Sequence, residues 1–213
     1  MADAAANQAY QQLSPDQVLI ALEELGFECD GRLLALNSYE NRVYRVGIED
    51  ESAAAANSVV AKFYRPQRWS DDQIIEEHKF TELLASLEIP VVAPQVCDGR
   101  TLHHVNGFRV AIFPNKGGRA PDLEDFDQLT QFGRFIGRIH RASQAEPFSH
   151  RPALNIDSFG HAARQTVIES DLLPSDLRSA YESLTAQLLD EIGHNYERAG
   201  DVTLIRCHGD CHP

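Results

Sequence analysis

The stretch Arg-Cys-His-Gly-Asp-Cys-His-Pro at positions 206–213 decides how the fold of the whole chain is interpreted. The apolar run 202–205 precedes it, so the stretch lies where a strand would pass into a loop. Positions 208–212 bring together one carboxylate, two histidines and a glycine, a mixture that few structural loops need. We therefore predict a loop that performs chemistry, with Asp210 as its most important residue.

Two kinds of chemistry fit this loop. An aspartate near a hydroxyl group can orient it and accept its proton as the oxygen attacks phosphorus, which would make Asp210 a catalytic base. His208 would then hold the loop through hydrogen bonds to neighbouring backbone, and Gly209 would permit an unusual φ. The alternative is a zinc site, for which four side chains are potential ligands: Cys207, His208, Cys211 and His212. These ligands are crowded into one short loop, so the zinc site is the less favoured hypothesis, and His212 fits a structural role equally well.

The composition narrows the possible partners and the location. The 213 residues are 43% hydrophobic, enough for one large domain or two small lobes, and the net charge is −13. Such an acidic chain is a poor match for nucleic acid or an anionic membrane, both of which attract clustered Lys and Arg. No run approaches the ~18 apolar residues of a membrane span, and no secretory signal is evident. Four scattered cysteines are too few for a disulfide scaffold, so we expect a reduced, cytoplasmic protein.

The first part of the chain predicts a sheet with one helix before it and another inserted into it. Ser14 and Ser70 are each followed three residues later by glutamine, which is typical of a helix start, while Gly26 and Pro90 are typical of helix ends. Six extended apolar runs, one more than a five-stranded sheet needs, lie at 31–36, 42–46, 58–64, 95–97, 101–105 and 108–113. Their connections are too short for parallel crossovers, so we predict an α+β fold with a five-stranded antiparallel sheet.

The pattern changes after Phe113. A Gly- and Pro-rich segment is predicted to be a hinge between an N-terminal lobe and a partial helical C-terminal lobe. The predicted lobe, hinge and second lobe are 1–113, 114–121 and 122–213. In the second lobe, apolar residues recur at three- and four-residue steps, which predicts helices at 129–139 and 177–192.

Lys62 lies inside the apolar run 58–64, and the alternation of that strand puts the lysine on one side of it. There its ammonium can project into a cleft beneath the sheet and hold phosphate oxygens. Glu76 and Glu77 flank the apolar face of the following helix, so either can turn inward and pair with Lys62. An exposed lysine with solvated glutamates is an equally simple interpretation of these residues alone.

Several blocks, taken together and in order, resemble the aminoglycoside phosphotransferase and choline kinase superfamily: Val59-Val60-Ala61-Lys62, Glu76-Glu77, Gly117-Gly118-Arg119 and His208-Gly209-Asp210-Cys211-His212. Three blocks are closer still to the bacterial stress response kinase A family: Asn37-Ser38-Tyr39-Glu40-Asn41-Arg42-Val43-Tyr44, Lys62-Phe63-Tyr64-Arg65-Pro66 and the loop 208–212. The resemblance runs from about Leu13 to the last residue. It implies a protein-kinase-like fold and a cytoplasmic Ser/Thr protein kinase of the bacterial stress response.

The resemblance also implies which residues bind ATP: Ser38, Lys62, Glu77 and Phe113. Lys62 corresponds to the phosphate-binding lysine, and the spacing of the helix fits Glu77 as its partner better than Glu76. Ser38 corresponds to an ATP-contacting serine in a loop that replaces a glycine-rich turn, although it can equally well finish a hairpin. Phe113 begins a segment whose backbone would pair with the adenine edge, or which is a plain connection.

The same resemblance implies that Asp210 accepts the proton and His208 supports it, as the γ-phosphoryl group of MgATP passes to a Ser or Thr of a protein substrate. The family binds magnesium through an asparagine and an aspartate that would follow Pro213, so we expect no metal ligand within this chain. We therefore expect a fragment with negligible kinase activity, and a monomeric full-length protein. The alternatives are a phosphotransferase for a sugar, an aminoglycoside or an amino alcohol, and a non-catalytic nucleotide-binding fragment.

Overall fold

A five-stranded antiparallel sheet forms the centre of the first part of the molecule. The structure is a computed structural model, and it describes residues 10–11, 13–49 and 57–210. The strands are β1 (Cys29–Leu36), β2 (Arg42–Ile48), β3 (Asn57–Tyr64), β4 (His103–Val105) and β5 (Phe108–Pro114). They are arranged in the order β1-β2-β3-β5-β4, and every neighbouring pair is antiparallel. The predicted sheet is therefore confirmed.

Two helices begin at the predicted caps. Helix α1 (Pro15–Glu23) follows Ser14, and helix α2 (Asp71–Ser86) follows Ser70. In each case the serine hydroxyl accepts a hydrogen bond from the backbone N–H of the third helical residue, a glutamine. The glutamine side chain accepts a hydrogen bond from the serine N–H in return. Both helix starts are thus satisfied by local side chains, as the sequence indicated.

The alternation of side chains along β3 gives the sheet two different faces. Ala61 and Phe63 are buried in the main core, which also contains residues of α1. Lys62 and Tyr64 lie on the opposite face, where Tyr64 packs in a second cluster with Ile74 of α2. The main core therefore lies on the α1 side of the sheet, and Lys62 lies on the α2 side.

The prediction of a strand at 95–97 is wrong. Cys97 and Arg100 form an isolated bridge, exchanging backbone hydrogen bonds of 2.9 and 3.0 Å across a tight turn. Pro90 and Pro94 precede this turn, and a proline lacks the backbone N–H that a continuous ladder requires. Of the run 101–105, only the last three residues form a strand, which is β4.

The remainder of the described chain is helical, as predicted. It contains α3 (Phe126–Ser143), a π-helical turn (Asp157–His161), α4 (Ala162–Glu169) and α5 (Arg178–Ala199). The chain divides into two compact units: unit 1 is Met1–Ala142 with His208–Pro213, and unit 2 is Ser143–Cys207. All but the last residue of α3 belongs to unit 1, where the Arg138 guanidinium donates to the carbonyls of Leu87 and Glu88. The division comes later than the predicted hinge at 114–121, which stays a prediction.

The apolar run 202–205 does not form the expected strand. Residues 202–208 have no regular structure, and Val202 and Leu204 are 56% and 68% exposed. A strand needs a hydrogen-bonded neighbour, and the five strands described pair only with one another. Among the described helices, none is long and apolar enough to cross a membrane.

Candidate active site

Lys62 lies in β3 on the side of the sheet that faces α2. The strand register places it between Val43 of β2 and Ala111 of β5. Its Nζ is 3.6 Å from Oε1 of Glu77 on α2, and the two side chains are 24% and 37% exposed. An ammonium has three N–H donors, and this carboxylate occupies only part of its surroundings. The lysine can therefore still donate hydrogen bonds to phosphate oxygens from its accessible side.

The structure joins Lys62 to Glu77, the helix partner that the motif spacing favoured over Glu76. The start of α2 is fixed by the cap at Ser70, and the helix presents Glu77 toward β3 about two turns later. A partly exposed ion pair adds little to stability. We therefore interpret this pair as a means of holding the lysine in place.

His78 is a site residue that the sequence analysis missed. It is 1% exposed on the buried side of α2, whereas the apolar Leu83 of the same helix is 40% exposed. The imidazole Nε2 lies 2.7 Å from the hydroxyl oxygen of Tyr64, and Nδ1 lies 2.9 Å from Oγ1 of Thr101. The signal for its burial is its spacing, since His78 follows the buried Ile74 by four residues on the same helix face.

Phe113 lies on the same face of the sheet as Lys62. It is opposite Val60 in the β3–β5 register, and its half-buried ring packs edge-to-face against His78 with centroids 6.1 Å apart. The register also places Val43 and Ala111 on this face, on either side of the lysine. An apolar surface next to an ammonium suits a ligand that has a flat ring at one end and phosphate at the other.

The loop between β1 and β2 contains Ser38, which is exposed. Glu40 ties this loop to the segment after β3, because its carboxylate accepts hydrogen bonds from Arg68 Nε at 2.8 Å and Trp69 Nε1 at 2.9 Å. Burial raises the pKa of Glu40, but the hydrogen bonds from Arg68 and Trp69 outweigh burial and hold that pKa below its usual range. The loop is thus attached to a neighbouring segment through an ionised side chain.

Asp210, His208 and Gly209 form an exposed loop that belongs to unit 1. The backbone N–H of Asp210 donates a hydrogen bond to Nδ1 of His208 at 3.3 Å. Gly209 has a φ of 77°, a value that residues with a side chain rarely adopt, as expected beside the proposed base. Cys211 and His212 lie outside the described residues.

Arg206, at the start of the same stretch, is 9% exposed within unit 2. Its Nη2 lies 3.1 Å from the carbonyl oxygen of Pro147 and 3.3 Å from Oε2 of Glu146, and its guanidinium lies 5.0 Å from the centroid of the Phe148 ring. These contacts fix the chain four residues before Asp210. The sequence analysis did not identify this role, because one arginine in a loop produces no periodic signal.

Metal ligands are not grouped in the part of the chain that the structure describes. No set of three or more His, Cys, Asp or Glu side chains there could hold a metal ion. The zinc hypothesis requires Cys211 and His212, which lie outside that part, so it stays untested. The described residues therefore do not form a site for a divalent metal.

The structure brings together three of the predicted site residues, Lys62, Glu77 and Phe113, on one face of the sheet. Ser38 and Asp210 lie in two loops of the same unit. This arrangement provides a held ammonium and an apolar surface for a nucleotide, and a carboxylate that can accept a proton. The functional roles of all five residues stay predictions.

Comparison with known proteins identifies a family model and several relatives that match the chain. A model of the phosphotransferase enzyme family matches residues 32–213. Stress response kinase A of Escherichia coli (strain K12) is 39% identical over 203 residues, which cover 95% of this chain and 60% of that protein. Serine/threonine protein kinase RdoA of Salmonella typhimurium (strain LT2) has the same identity and coverage. The chain thus spans 60% of the length of these curated relatives, and the resemblance inferred from the motifs is confirmed.

Two solved structures are similar in fold. An amicoumacin kinase in complex with AMP-PNP, Ca2+ and Ami has a TM-score of 0.58 and 19% identity, over 81% of this chain and 53% of that one. A microcompartment-associated aminopropanol kinase has a TM-score of 0.60 and 21% identity, over 87% of this chain and 59% of that one. These likenesses confirm the predicted fold class.

Proposed function

Because this chain belongs to the phosphotransferase enzyme family, we propose that it binds ATP and serves the transfer of the γ-phosphoryl group to a hydroxyl group. The observation that carries this proposal is the ion pair between Lys62 and Glu77 on the accessible face of the antiparallel sheet. The family implies a nucleoside triphosphate and a divalent metal. We propose that the metal is Mg2+ and that its ligands lie outside the described residues.

In this proposal the nucleotide binds against the α2 side of the sheet. The adenine ring packs on the apolar surface formed by the partly exposed side chains of Val43, Val60 and Phe113. The Lys62 ammonium donates hydrogen bonds to phosphate oxygens, and Glu77 keeps the ammonium from swinging into solvent. Ser38 contributes its hydroxyl and backbone N–H to the phosphates from the β1–β2 loop.

Asp210 acts as the proton acceptor. Its carboxylate orients the attacking hydroxyl and takes the proton as the new bond to phosphorus forms, so that the alcohol becomes the phosphate ester and the nucleoside diphosphate leaves. His208 holds the loop by accepting the hydrogen bond from the Asp210 backbone. The positive φ of Gly209 sets the direction in which the loop presents the carboxylate.

The acceptor is proposed to be Ser or Thr of a protein. This choice is supported by the names of relatives that are 39% identical over 95% of the chain, stress response kinase A and a serine/threonine protein kinase. The two similar solved structures are named as kinases of amicoumacin and of aminopropanol, which keeps a small-molecule acceptor as the second candidate. At 19% and 21% identity they support that candidate only through the fold.

The proposed setting is a monomeric kinase in the bacterial cytoplasm that acts in a stress response. The free thiols of Cys29, Cys97 and Cys207 are consistent with a reducing compartment. The names of the curated relatives support the link to stress.

Calorimetric titration with ATP tests the binding step on the 213-residue chain. We expect saturable binding, and we expect Lys62→Ala to weaken it by about tenfold or more because the phosphates lose a charged donor. Lys79→Ala is the matched control, since Lys79 is an exposed lysine of helix α2, which also carries Glu77. The ATP affinity of this variant should equal that of the unmodified chain. A lack of saturable binding would contradict the proposal, as would an equal loss in both variants.

Incorporation of phosphate from γ-labelled ATP tests the transfer step separately from nucleotide binding. Any transfer above background should vanish in Asp210→Asn, while ATP affinity changes by less than about twofold. Phosphoserine or phosphothreonine on an added protein supports the protein kinase. Phosphate that appears only on an added sugar or amino alcohol supports the second candidate.

A further inference from the structure

His78 is a buried polar side chain whose two ring nitrogens are both engaged. The residue is 1% exposed, with Nε2 2.7 Å from the hydroxyl of Tyr64 and Nδ1 2.9 Å from the hydroxyl of Thr101. A buried polar network that is fully hydrogen-bonded permits few alternative arrangements. The imidazole therefore fixes the rotation of the Tyr64 side chain.

The imidazole is neutral at neutral pH. Burial is the main cause that lowers the pKa of His78, to about 4, and the nearby Lys62 and His103 lower it further while Glu77 raises it. A neutral imidazole donates from one nitrogen and accepts at the other, and a hydroxyl group can do either. A neutral imidazole can therefore make both hydrogen bonds, to Tyr64 and to Thr101, without adding a second positive charge near the Lys62 ammonium.

Tyr64 contacts both His78 and Lys62, so the fixed position of its ring affects the position of the Lys62 ammonium. Lys62 and Tyr64 are two residues apart on β3, so their side chains share one face of the sheet. Nζ of Lys62 lies 4.8 Å from the centroid of the Tyr64 ring, and Tyr64 is itself only 4% exposed. An ammonium at this distance from an aromatic ring is attracted to it.

The second contact of the Lys62 ammonium is with Glu77, which lies in the same turn of α2 as His78. Glu77, the ionic partner of Lys62, is the chain neighbour of His78 on α2. One turn of α2 therefore sets both contacts of the ammonium, directly through Glu77 and indirectly through His78 and Tyr64. A displacement of His78 would release the ring on which the lysine rests.

We propose that His78 and Tyr64 are positioning residues that hold the Lys62 ammonium in place for the phosphates of a nucleotide. His78 is buried and acts only through Tyr64. This inference rests on the proposed nucleotide binding, and it adds two residues to which that proposal assigned no role. It predicts that the hydroxyl group of Tyr64 affects ATP affinity although it does not touch ATP.

A double-mutant cycle on ATP affinity tests the inference. Tyr64→Phe keeps the ring but removes its bond to the imidazole, and His78→Phe keeps the bulk but removes the same bond. We expect each variant to weaken ATP binding by about threefold to tenfold, and the double variant to bind no more weakly than the weaker single one. His78→Gln, whose amide can still reach a hydroxyl, should recover part of the affinity.

The control is Tyr44→Phe, which removes a hydroxyl from a buried tyrosine of the main core, on the other side of the sheet from Lys62. It should leave ATP affinity unchanged. Urea unfolding of every variant confirms that the titrations are made on folded protein. Unchanged affinity in Tyr64→Phe would overturn the inference, and so would losses that simply add in the double variant.

A second readout needs no nucleotide. Acetylation of the free chain with limiting acetic anhydride compares the labelling of Lys62 with that of the exposed Lys79 by mass spectrometry. Loss of the hydrogen bond between Tyr64 and His78 should raise the labelling of Lys62 severalfold in Tyr64→Phe and His78→Phe. Tyr44→Phe keeps this bond and should not change the labelling. Equal labelling in all variants would overturn the inference. If the labelling changes as expected but no ATP binds, the proposed function fails while the positioning of Lys62 stands.

Discussion

At the scale of single residues, His78 connects the site to the pH dependence of stability. Its pKa is lowered from 6.5 to about 4, chiefly by burial. In the unfolded chain the imidazole regains its ordinary pKa, so between these two values the unfolded state binds more protons than the folded state. The free energy of unfolding must therefore fall as the pH falls through this window, and it is unaffected above it.

We expect His78 alone to reduce the free energy of unfolding by at most about 3 kcal/mol between neutral pH and about pH 4. Urea unfolding at a series of pH values measures this slope. His78→Gln should remove it, whereas His194→Gln, at an exposed position of α5, should keep it. The same slope in both variants would show that other groups cause the loss of stability.

Single residues also show which contacts can be predicted from the sequence and which cannot. Strand alternation and helix spacing, which are local properties of the sequence, indicated Lys62 and two candidate partners, Glu76 and Glu77. The family resemblance then favoured Glu77. The spacing of His78 from Ile74 indicates its burial, but its hydrogen-bond partners Tyr64 and Thr101 are 14 and 23 residues away and show no sequence pattern that links them to it. Arg206 is a similar case, since its contacts involve Pro147, 59 residues earlier.

At the scale of elements, the cap of α2 makes a separate prediction. Ser70→Ala removes the hydroxyl that accepts the N–H of Gln73, and we expect it to lower the free energy of unfolding by about 1 kcal/mol. Chemical denaturation measures the change. Ser183→Ala, an exposed position inside α5, is the control and should change stability by less than about 0.5 kcal/mol. Equal losses would mean that the capping bond adds nothing.

Both helix caps were predicted correctly from short-range chemistry. The five strands of the sheet were also predicted correctly, but two short apolar runs were wrongly interpreted as strands. The runs 95–97 and 202–205 are apolar enough for strands, but they form none in the described sheet. Apolar character alone therefore does not define a strand, since Gln95 donates one backbone hydrogen bond to Ile112 of β5 without continuing into a ladder of the described sheet.

At the scale of the whole molecule, the two units differ in how much apolar surface they bury. Among the described residues, the buried hydrophobic side chains lie in unit 1 with the exception of Leu189. Unit 2 leaves large apolar side chains accessible, such as Leu172 at 89% and Leu184 at 66%. Regions with few buried apolar contacts open with a smaller free energy.

We therefore expect hydrogen exchange to separate the two units. Amides of β3 and β5 should exchange most slowly, and those of α4 and α5 should exchange faster although they are in regular helices. Mass spectrometry of peptides from the exchanging chain measures both sets in one experiment. Protection of α5 equal to that of β3 would contradict the expectation and would indicate that unit 2 gains stability from contacts that its burial does not reveal.

The attachment of the β1–β2 loop through Glu40 has a consequence for ligand selection. A loop whose carboxylate already bonds to Arg68 and Trp69 loses little conformational entropy when a nucleotide arrives. If Ser38 of this loop contacts the phosphates as proposed, the attachment limits how far the loop can move to accommodate phosphate chains of different length. We then expect preference for a ligand whose phosphates match the distance between the loop and Lys62.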